Sequence, residues 1–305
     1  MTLRIGAAPV SFGVYGAEGS RGPDPDALLD AVAAAGYAGT ELGIQGFFGT
    51  PAETAARFAR AGLACIGCYI PFHFTADEAT IADEMERMRR TVEELAAAGG
   101  SAPLAILADE GSAELLVHPA RPWDDRSRAL DEAGWTLLGR RLEAARRLAD
   151  HYGLRTTFHP HISTFVESPW EVERVLDASP IGLTLDTGHF LLAGAEPRAA
   201  LARFGDRVDL VHLKDVRVEV LRAAKAAGRT DFDAWWGDVS VRLGTGDVEM
   251  TGFVGDLVRG GYDGWVVVEQ DRLPIGGYPD ALAAASADEA HNAAWVRAAI
   301  AAAGA

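Results

Sequence analysis

Short apolar segments rich in β-branched residues alternate along the chain with longer segments in which apolar residues recur at helical spacing. The short segments predict buried strands at residues 4–9, 39–43, 63–70, 103–108, 154–160, 181–186, 208–214 and 264–270. Strands that alternate with amphipathic helices are typical of βαβ units. Eight such units, with no linker rich in Pro, Gly or Ser between them, predict a single α/β domain over residues 1–305 with the (β/α)8 TIM barrel fold.

The segments between the predicted strands carry helix start and stop signals. In "TPAETAARFARAG", a Thr and a Pro precede the apolar periodicity, and Gly62 follows it. The long segment "DEAGWTLLGRRLEAARRLADHYG" likewise begins with a capping residue, Asp131, and ends at Gly153. A glycine at this place favours the left-handed conformation that ends many helices, so each one prepares the chain for the next strand.

Two connections, at residues 109–131 and 217–247, are too long to be simple loops. They follow the fourth and the seventh predicted strand, and such loops lie at the C-terminal face of a barrel. We therefore expect them to form walls or a lid of a site at that face. Trp123, Trp235 and Trp236 would either supply apolar, sugar-stacking surfaces there or anchor the loops to the barrel rim, and the sequence leaves both interpretations open.

The net charge of −16, from 44 acidic and 28 basic residues, disfavours partners that are polyanions. We expect no contact with nucleic acid or with an anionic membrane surface. The first residues lack the pattern of a signal peptide and no stretch has 18 consecutive apolar residues, which predicts a cytoplasmic protein. Cys65 and Cys68 form a C-x-x-C pair inside a predicted strand, where they are interpreted as buried small hydrophobes rather than as a redox or zinc pair.

Polar residues, most of them of types that bind metals, lie at the ends of four consecutive predicted strands: His159 and His161, Asp186 and His189, His212 and Lys214, and Glu269 with Asp271. A single His or Asp at a strand end usually caps a turn. Neighbouring parallel strands lie about 4.8 Å apart, however, so side chains from these four ends can meet at one point. Asp186, His212 and Glu269, with His159 as a fourth candidate, predict a divalent cation site, with Mn²⁺ or Co²⁺ favoured and Mg²⁺, Fe²⁺ or Zn²⁺ as alternatives.

The segments "LDTGHF", "HLKDVR", "LGTGDV" and "GYDGWVVVEQD" resemble those of the xylose-isomerase-like TIM barrels, which include sugar isomerases, epimerases and dehydratases. Within this superfamily, "TFHPHISTFVESPWEVERVL" is most similar to the inosose (2-keto-myo-inositol) dehydratases. The resemblance implies a metal bound by Asp186, His212 and Glu269. It also places His159 where the family usually has a metal-binding Glu.

The epimerases of the superfamily use two glutamates to remove and return a proton, whereas this chain keeps only Glu269 of the pair. A lyase needs one base and one acid, and histidine and lysine serve both roles near neutral pH. We therefore assign His159, Lys214 and Glu269 as candidate catalytic residues. It stays open whether His159 is a metal ligand or an acid–base group, and whether Lys214 contacts the substrate or is a surface lysine paired with Asp215. The candidate substrate-binding residues are Glu41, His161, His189, Arg217 and Trp236.

Together these residues predict a metal-dependent hydro-lyase that acts on a cyclic polyol ketone such as inosose, as part of inositol catabolism. A metal-dependent isomerase, epimerase or C–O-cleaving enzyme acting on another keto-sugar is the first alternative, because the fold alone does not select the chemistry. A non-catalytic sugar-binding or partner subunit is the second. The expected partner is a small keto-polyol or keto-sugar, and a homo-oligomer is compatible with the sequence.

Overall fold

Strands and helices alternate along the chain in the computed structural model, which describes residues 3–15, 22–99, 102–229, 235–272 and 279–304. The strands are β1 (Arg4–Ala7), β2 (Gly39–Thr40), β3 (Ala64–Cys65), β4 (Gly67–Phe72), β5 (Leu104–Asp109), β6 (Arg155–His159), β7 (Gly182–Asp186), β8 (Val208–Leu213), β9 (Asp215–Val216), β10 (Ser240–Val241) and β11 (Trp265–Val268). All except β9 and β10 form one parallel sheet in the order β3-β2-β1-β11-β8-β7-β6-β5-β4.

The sheet curves into a barrel whose two ends meet at Ile66. Strands β3 and β4 are two parts of one predicted strand, and Ile66 lies between them. The Ile66 N–H donates to the carbonyl of Thr40 at 3.0 Å, and the N–H of Leu104 donates to the carbonyl of Ile66 at 2.9 Å. The chain at Ile66 thus joins β2 on one side to β5 on the other. The predicted TIM barrel is confirmed, with its third strand split in two.

The helices pack outside the sheet. They are α1 (Pro25–Ala34), α2 (Pro51–Ala61), α3 (Glu78–Ala98), α4 (Ala113–Leu116), α5 (Glu132–His151), α6 (Pro169–Ala178), α7 (Thr187–Leu192), α8 (Pro197–Phe204), α9 (Val218–Ala226), α10 (Trp236–Val239), α11 (Met250–Arg259) and α12 (Pro279–Ala303), with 3₁₀ turns at Pro9–Phe12 and Gly205–Arg207. Helix α2 shows why they begin and end where they do. Thr50 and Glu53 form a capping box at its start, and Gly62 ends it with φ of 66°.

Each strand presents alternate residues to the inside and the outside of the barrel. The inner apolar cluster consists of Ala8, Ile66, Leu104, Ile106, Leu210, Trp265 and Val267. In β8, Leu210 belongs to this inner cluster, whereas Val211 and Leu213 pack in the outer cluster beneath the helices. His212 therefore lies in the inward register above Leu210. The same count along β11 places Glu269 above Val267, so the apolar interior ends in a layer of polar residues.

The two long connections meet each other at the C-terminal face. The first contains α4, and the second contains α9, α10 and β10, which pairs antiparallel with β9. Lys225 of α9 donates from Nζ to the carbonyl oxygens of Pro119 (3.0 Å) and Ala120 (2.9 Å) in the first connection. Residues 230–234, part of the predicted lid, lie outside the described residues.

Two predictions about the whole chain can be compared with this fold. Among the described helices, none combines the length and the apolar character needed to cross a bilayer. Cys65 and Cys68 are both buried with free thiols, as predicted from their place in a strand.

Candidate active site

Four strand ends bring a cluster of potential metal ligands together. His159 ends β6, Asp186 ends β7, His212 lies in β8 and Glu269 follows β11. Strand pairing places Asp186 directly opposite His212, and Val267 is opposite His212 on the other side. One ligand atom from each of the four residues lies within 4.8 Å of the other three. The structure thus brings together the four residues that the sequence predicted as ligands.

Asp186 has one carboxylate oxygen that is left without a hydrogen bond. Its Oδ1 accepts the N–H of His189 at 2.9 Å and caps α7. Its Oδ2 is buried and accepts no hydrogen bond from any residue that the structure describes, although it lies 3.7 Å from His159 Nε2 and 3.8 Å from His212 Nδ1. A buried charged oxygen that accepts no hydrogen bond is unfavourable by more than about 1–3 kcal/mol, and the Lys214 ammonium group 3.5 Å away offsets this only in part. A cation between these atoms would remove that penalty, so the residues fit a metal ion.

His212 is held between two carboxylates. Its Nε2 lies 2.8 Å from Glu41 Oε1, and its Nδ1 lies 2.5 Å from Glu269 Oε2. Burial alone would lower the pKa of His212, but the negative charges of Glu41 and Glu269 raise it well above its usual value. Both ring nitrogens thus face a carboxylate, and a metal ion at Nδ1 would take the place of the proton there while Nε2–H still donates to Glu41, an arrangement common among histidine ligands. The position of Glu41 thus favours orienting His212, and a substrate contact for Glu41 stays a prediction.

Lys214 is completely buried, which excludes the interpretation of a surface lysine. Its Nζ lies 2.7 Å from Asp271 Oδ2, 3.0 Å from Glu269 Oε1 and 3.5 Å from Asp186 Oδ2. Burial would lower the pKa of Lys214, but these three carboxylates raise it above its usual value. Asp215 points elsewhere and accepts the backbone N–H groups of the segment that follows β10. Lys214 is therefore a cation that donates hydrogen bonds into the site.

The cluster as a whole carries an excess of negative charge. Lys214 contacts the carboxylates of Asp186, Glu269 and Asp271, and His212 contacts those of Glu41 and Glu269, so four carboxylates share two cationic groups. In a buried environment such an excess is unfavourable unless a counter-ion balances it. The charge of the site, like the unsatisfied oxygen of Asp186, therefore fits a divalent cation.

Three predicted substrate contacts line one side of the cluster. The rings of His161 and His189 lie 3.8 Å apart between centroids, and Trp236 stacks on His189 at 5.4 Å. Burial lowers the pKa of His161 to about 3 and lowers that of His189 well below its usual value. Both imidazoles are therefore neutral at pH 7, which suits hydrogen bonding to uncharged hydroxyl groups. His189 Nε2 also lies 3.0 Å from Lys214 Nζ.

Other predicted residues lie farther from the cluster. Arg217 is exposed where α9 begins, and its backbone N–H donates to the carbonyl of Val239. Trp123 is 62% exposed. Trp235 is buried and packs edge-on against Trp236, which favours an anchoring role. Substrate contacts by Arg217 and Trp123 stay predictions.

The sequence analysis did not identify two residues that lie near the cluster, Tyr69 of β4 and Glu110 after β5. The Tyr69 hydroxyl donates to Glu110 Oε1 at 2.8 Å, and the Tyr69 ring meets the His159 ring edge-on at 5.7 Å. The signal was available in the alternation along β5. Leu104 and Ile106 point into the barrel, and the same register continues to Glu110, which the predicted strand at 103–108 excluded.

A family model described as the xylose isomerase-like TIM barrel matches residues 29–298. An inosose dehydratase of Geobacillus kaustophilus is 28% identical over 281 residues, which cover 91% of this chain and 90% of that protein. The rhizopine catabolism protein MocC of Rhizobium meliloti is 36% identical over 148 residues, which cover 48% of this chain and 45% of that protein. The solved structure of an L-ribulose 3-epimerase has a TM-score of 0.68 at 17% identity, covering 99% of this chain and 96% of that one.

Proposed function

Because the chain belongs to the xylose isomerase-like TIM barrel family, we propose that it is a metal-dependent hydro-lyase that removes water from a cyclic polyol ketone such as inosose. The observation that carries the proposal is the unsatisfied Asp186 Oδ2, which lies among two imidazoles and the buried ammonium group of Lys214. The similarity to an inosose dehydratase along 90% of that protein supports the choice of substrate.

We propose His159, Asp186, His212 and Glu269 as the metal ligands. Two imidazole nitrogens and two carboxylates form a donor set of intermediate hardness, which favours Mn²⁺ or Co²⁺ over Mg²⁺. A bound divalent ion would polarise the ketone oxygen of the substrate and stabilise negative charge that develops there. His159 Nε2 faces Asp186 Oδ2, which supports the ligand role for His159 over that of an acid–base group.

Elimination of water requires a base for the proton next to the ketone and an acid for the departing hydroxyl group. Glu269 is the proposed base, because its side chain is 13% exposed whereas those of Asp186 and His212 are at most 2% exposed. Lys214 is the proposed acid, because its ammonium group lies 3.0 Å from Glu269 Oε1. A buried ammonium group that donates can protonate or orient the leaving oxygen.

The neutral rings of His161 and His189, together with Trp236, are the proposed contacts to the substrate ring. Uncharged imidazoles accept or donate hydrogen bonds to hydroxyl groups, and the indole supplies an apolar surface of the kind on which sugar rings pack. We place the reaction in inositol catabolism and in the cytoplasm. The location and a homo-oligomeric state are tested by cell fractionation and by sedimentation.

Variants of His159 and Lys214 separate metal binding from proton transfer. His159→Ala should lose metal affinity, whereas Lys214→Met should keep the metal and lose about 10²-fold in rate, since it removes only a proton donor. His159→Glu should keep the metal and rebuild a two-glutamate site, with dehydration reduced by about 10²-fold. Metal content by elemental analysis and rate on inosose are the two measurements. Near-parental dehydration by both His159→Glu and Lys214→Met would contradict the roles proposed for these two residues, and a product of unchanged mass from the parent would favour an isomerase or epimerase instead.

A further inference from the structure

The half of the barrel that carries no proposed metal ligand also presents polar groups inward. Tyr69 packs against the inner apolar cluster, whereas its neighbours Cys68 and Ile70 belong to the outer one. Glu110 continues the inward register of β5, and its N–H donates to the carbonyl of Phe72 at 2.8 Å. Glu110 therefore lies above the apolar interior, and the Tyr69 hydroxyl reaches it from a position in β4 that is paired with Ile106.

The pair borders the proposed metal site. Tyr69 contacts the His159 ring edge-on at 5.7 Å and donates its hydroxyl hydrogen to Glu110 Oε1 at 2.8 Å. Glu110 is partly exposed, and among the described residues its Oε2 accepts no hydrogen bond. Glu110 Oε2 and the lone pairs of the Tyr69 hydroxyl oxygen thus lie side by side, next to His159 of the proposed metal site.

We propose that Tyr69 and Glu110 form a subsite that binds hydroxyl groups of a neutral polyhydroxylated ring and sets substrate specificity. The inference rests on the proposed function and names the part of the site that recognises the polyol. A carboxylate accepts hydrogen bonds from adjacent hydroxyl groups, and bonds to a charged acceptor are the stronger ones. The same negative charge repels phosphorylated and acidic sugars, so the subsite selects uncharged substrates.

A second tyrosine–glutamate pair supplies a matched control. Tyr152, directly after α5, donates its hydroxyl hydrogen to Glu93 Oε1 of α3 at 2.9 Å, outside the barrel. Both pairs share the tyrosine–glutamate hydrogen bond, although Glu93 Oε1 also pairs with Arg89, and of the two only the Tyr69–Glu110 pair touches a proposed ligand. A subsite role predicts different behaviour for the two pairs, whereas a purely structural role predicts the same behaviour.

The experiment compares Tyr69→Phe, Glu110→Gln and Tyr152→Phe in the metal-loaded protein. Glu110→Gln should raise KM for inosose by about 10- to 100-fold, and Tyr69→Phe by about 5- to 10-fold, because each loses hydrogen bonds to the bound ring. In both variants kcat should stay within about threefold of the parent and the metal content should not change. Tyr152→Phe should leave KM unchanged.

Calorimetric binding of myo-inositol, a cyclic polyol without a ketone, gives a measurement that does not depend on turnover. Its affinity should fall in Glu110→Gln and not in Tyr152→Phe. Unchanged KM and unchanged myo-inositol affinity in Glu110→Gln and Tyr69→Phe would overturn the subsite. Loss of metal or of folding in these variants, seen by elemental analysis and thermal melting and repeated in Glu110→Asp, would also overturn it in favour of a structural pair.

Failure of the proposed function has a different signature. If the parent protein removes no water from inosose but binds myo-inositol in a way that Glu110→Gln weakens, the dehydratase assignment fails and the subsite stands. If the parent dehydrates inosose with a KM that neither variant changes, the subsite fails and the proposed function stands.

Discussion

Two clusters of charged side chains are buried in or beside the loops at the C-terminal face, and they differ in how their carboxylates are satisfied. In the first, Arg121 pairs with Glu167 at 2.9 Å and with Glu171 at 3.0 Å. Every carboxylate oxygen of the two glutamates accepts a hydrogen bond, from Arg121 or from backbone N–H groups such as those of Ser163 and Ser168. This cluster ties the loop after β5 to the loop after β6.

The second cluster is the candidate active site, where Asp186 Oδ2 is buried and accepts no hydrogen bond from the described residues. Its carboxylates face one another and Lys214 rather than a set of backbone donors. This difference distinguishes buried charges that stabilise the fold from buried charges that are available to bind a ligand. The first cluster leaves only the donor Arg121 Nη1 without a partner among the described residues, and all its carboxylate oxygens are bonded, whereas the second leaves an acceptor that a cation or a substrate donor would satisfy.

The largest expected effect comes from Asp186→Asn. Asparagine keeps an oxygen that can cap α7, but it removes the charge from the unsatisfied position. Metal should be lost and the dehydration rate should fall by at least about 10³-fold, since the loss of the ion forfeits several kcal/mol of charge stabilisation. The melting temperature of the metal-free protein should not fall. Retention of metal by elemental analysis would contradict the assignment.

The converse is expected for Glu171→Gln in the first cluster. Removing one partner from a buried ion pair leaves Arg121 incompletely compensated, so the free energy of unfolding should fall by about 3–5 kcal/mol. Urea denaturation measures this loss. Metal content and KM should stay near the parental values in protein that is still folded. A variant as stable as the parent would show that the two clusters do not differ in the way described.

Glu289 is a buried carboxylate outside both clusters, and its hydrogen-bond donors are neutral. Tyr37 donates to its Oε2 at 2.7 Å and Asn292 donates to its Oε1 at 2.9 Å. Burial raises the pKa of Glu289 to about 7, and the nearby charges of Arg272 and Asp288 act in opposite directions. Between the ordinary pKa and the raised one, the folded protein holds a proton that the unfolded chain releases. Stability should therefore fall as pH rises from about 4.5 to 7.

Glu289→Gln removes this dependence, because the amide does not ionise. Relative to the parent, the variant should gain about 3 kcal/mol in the free energy of unfolding across that window and nothing more above it. Urea denaturation at a series of pH values from about 4.5 to 8 measures the difference. A difference between parent and variant that does not change with pH would contradict the raised pKa.

The smallest effect is expected for Glu41→Gln, which weakens the orientation of His212 without touching the proposed metal. Loss of such a partner typically lowers metal affinity by about 10- to 100-fold. Mn²⁺ binding by calorimetry measures it, with Glu94→Gln as the control, because Glu94 is buried and bonded to Thr54 away from the site. Equal affinities in the two variants would show that Glu41 does not position His212.

The fold and the proposed ligands could be predicted because they follow from local patterns. Strand periodicity and helix signals gave the barrel, and a barrel fixes where His159, Asp186, His212 and Glu269 point. The split of the third strand at Ile66 could not be predicted, because it depends on how the sheet closes.

Contacts between residues far apart in the sequence could also not be predicted. Glu41 and His212 are 171 positions apart, and no pattern in the sequence pairs them. Lys214 had two interpretations because its burial depends on three carboxylates at the ends of two other strands, β7 and β11. Glu110 was assigned to a loop, although the alternation of β5 continues one step past the last apolar residue.

The mass of the product formed from inosose tests the central claim most directly. The metal-loaded protein should convert inosose to a product lighter by one molecule of water, and the protein stripped by a chelator should not until Mn²⁺ or Co²⁺ is restored. A product of unchanged mass would show isomerisation or epimerisation instead. Loss of water at the same rate after the metal is removed would contradict the metal-dependent mechanism.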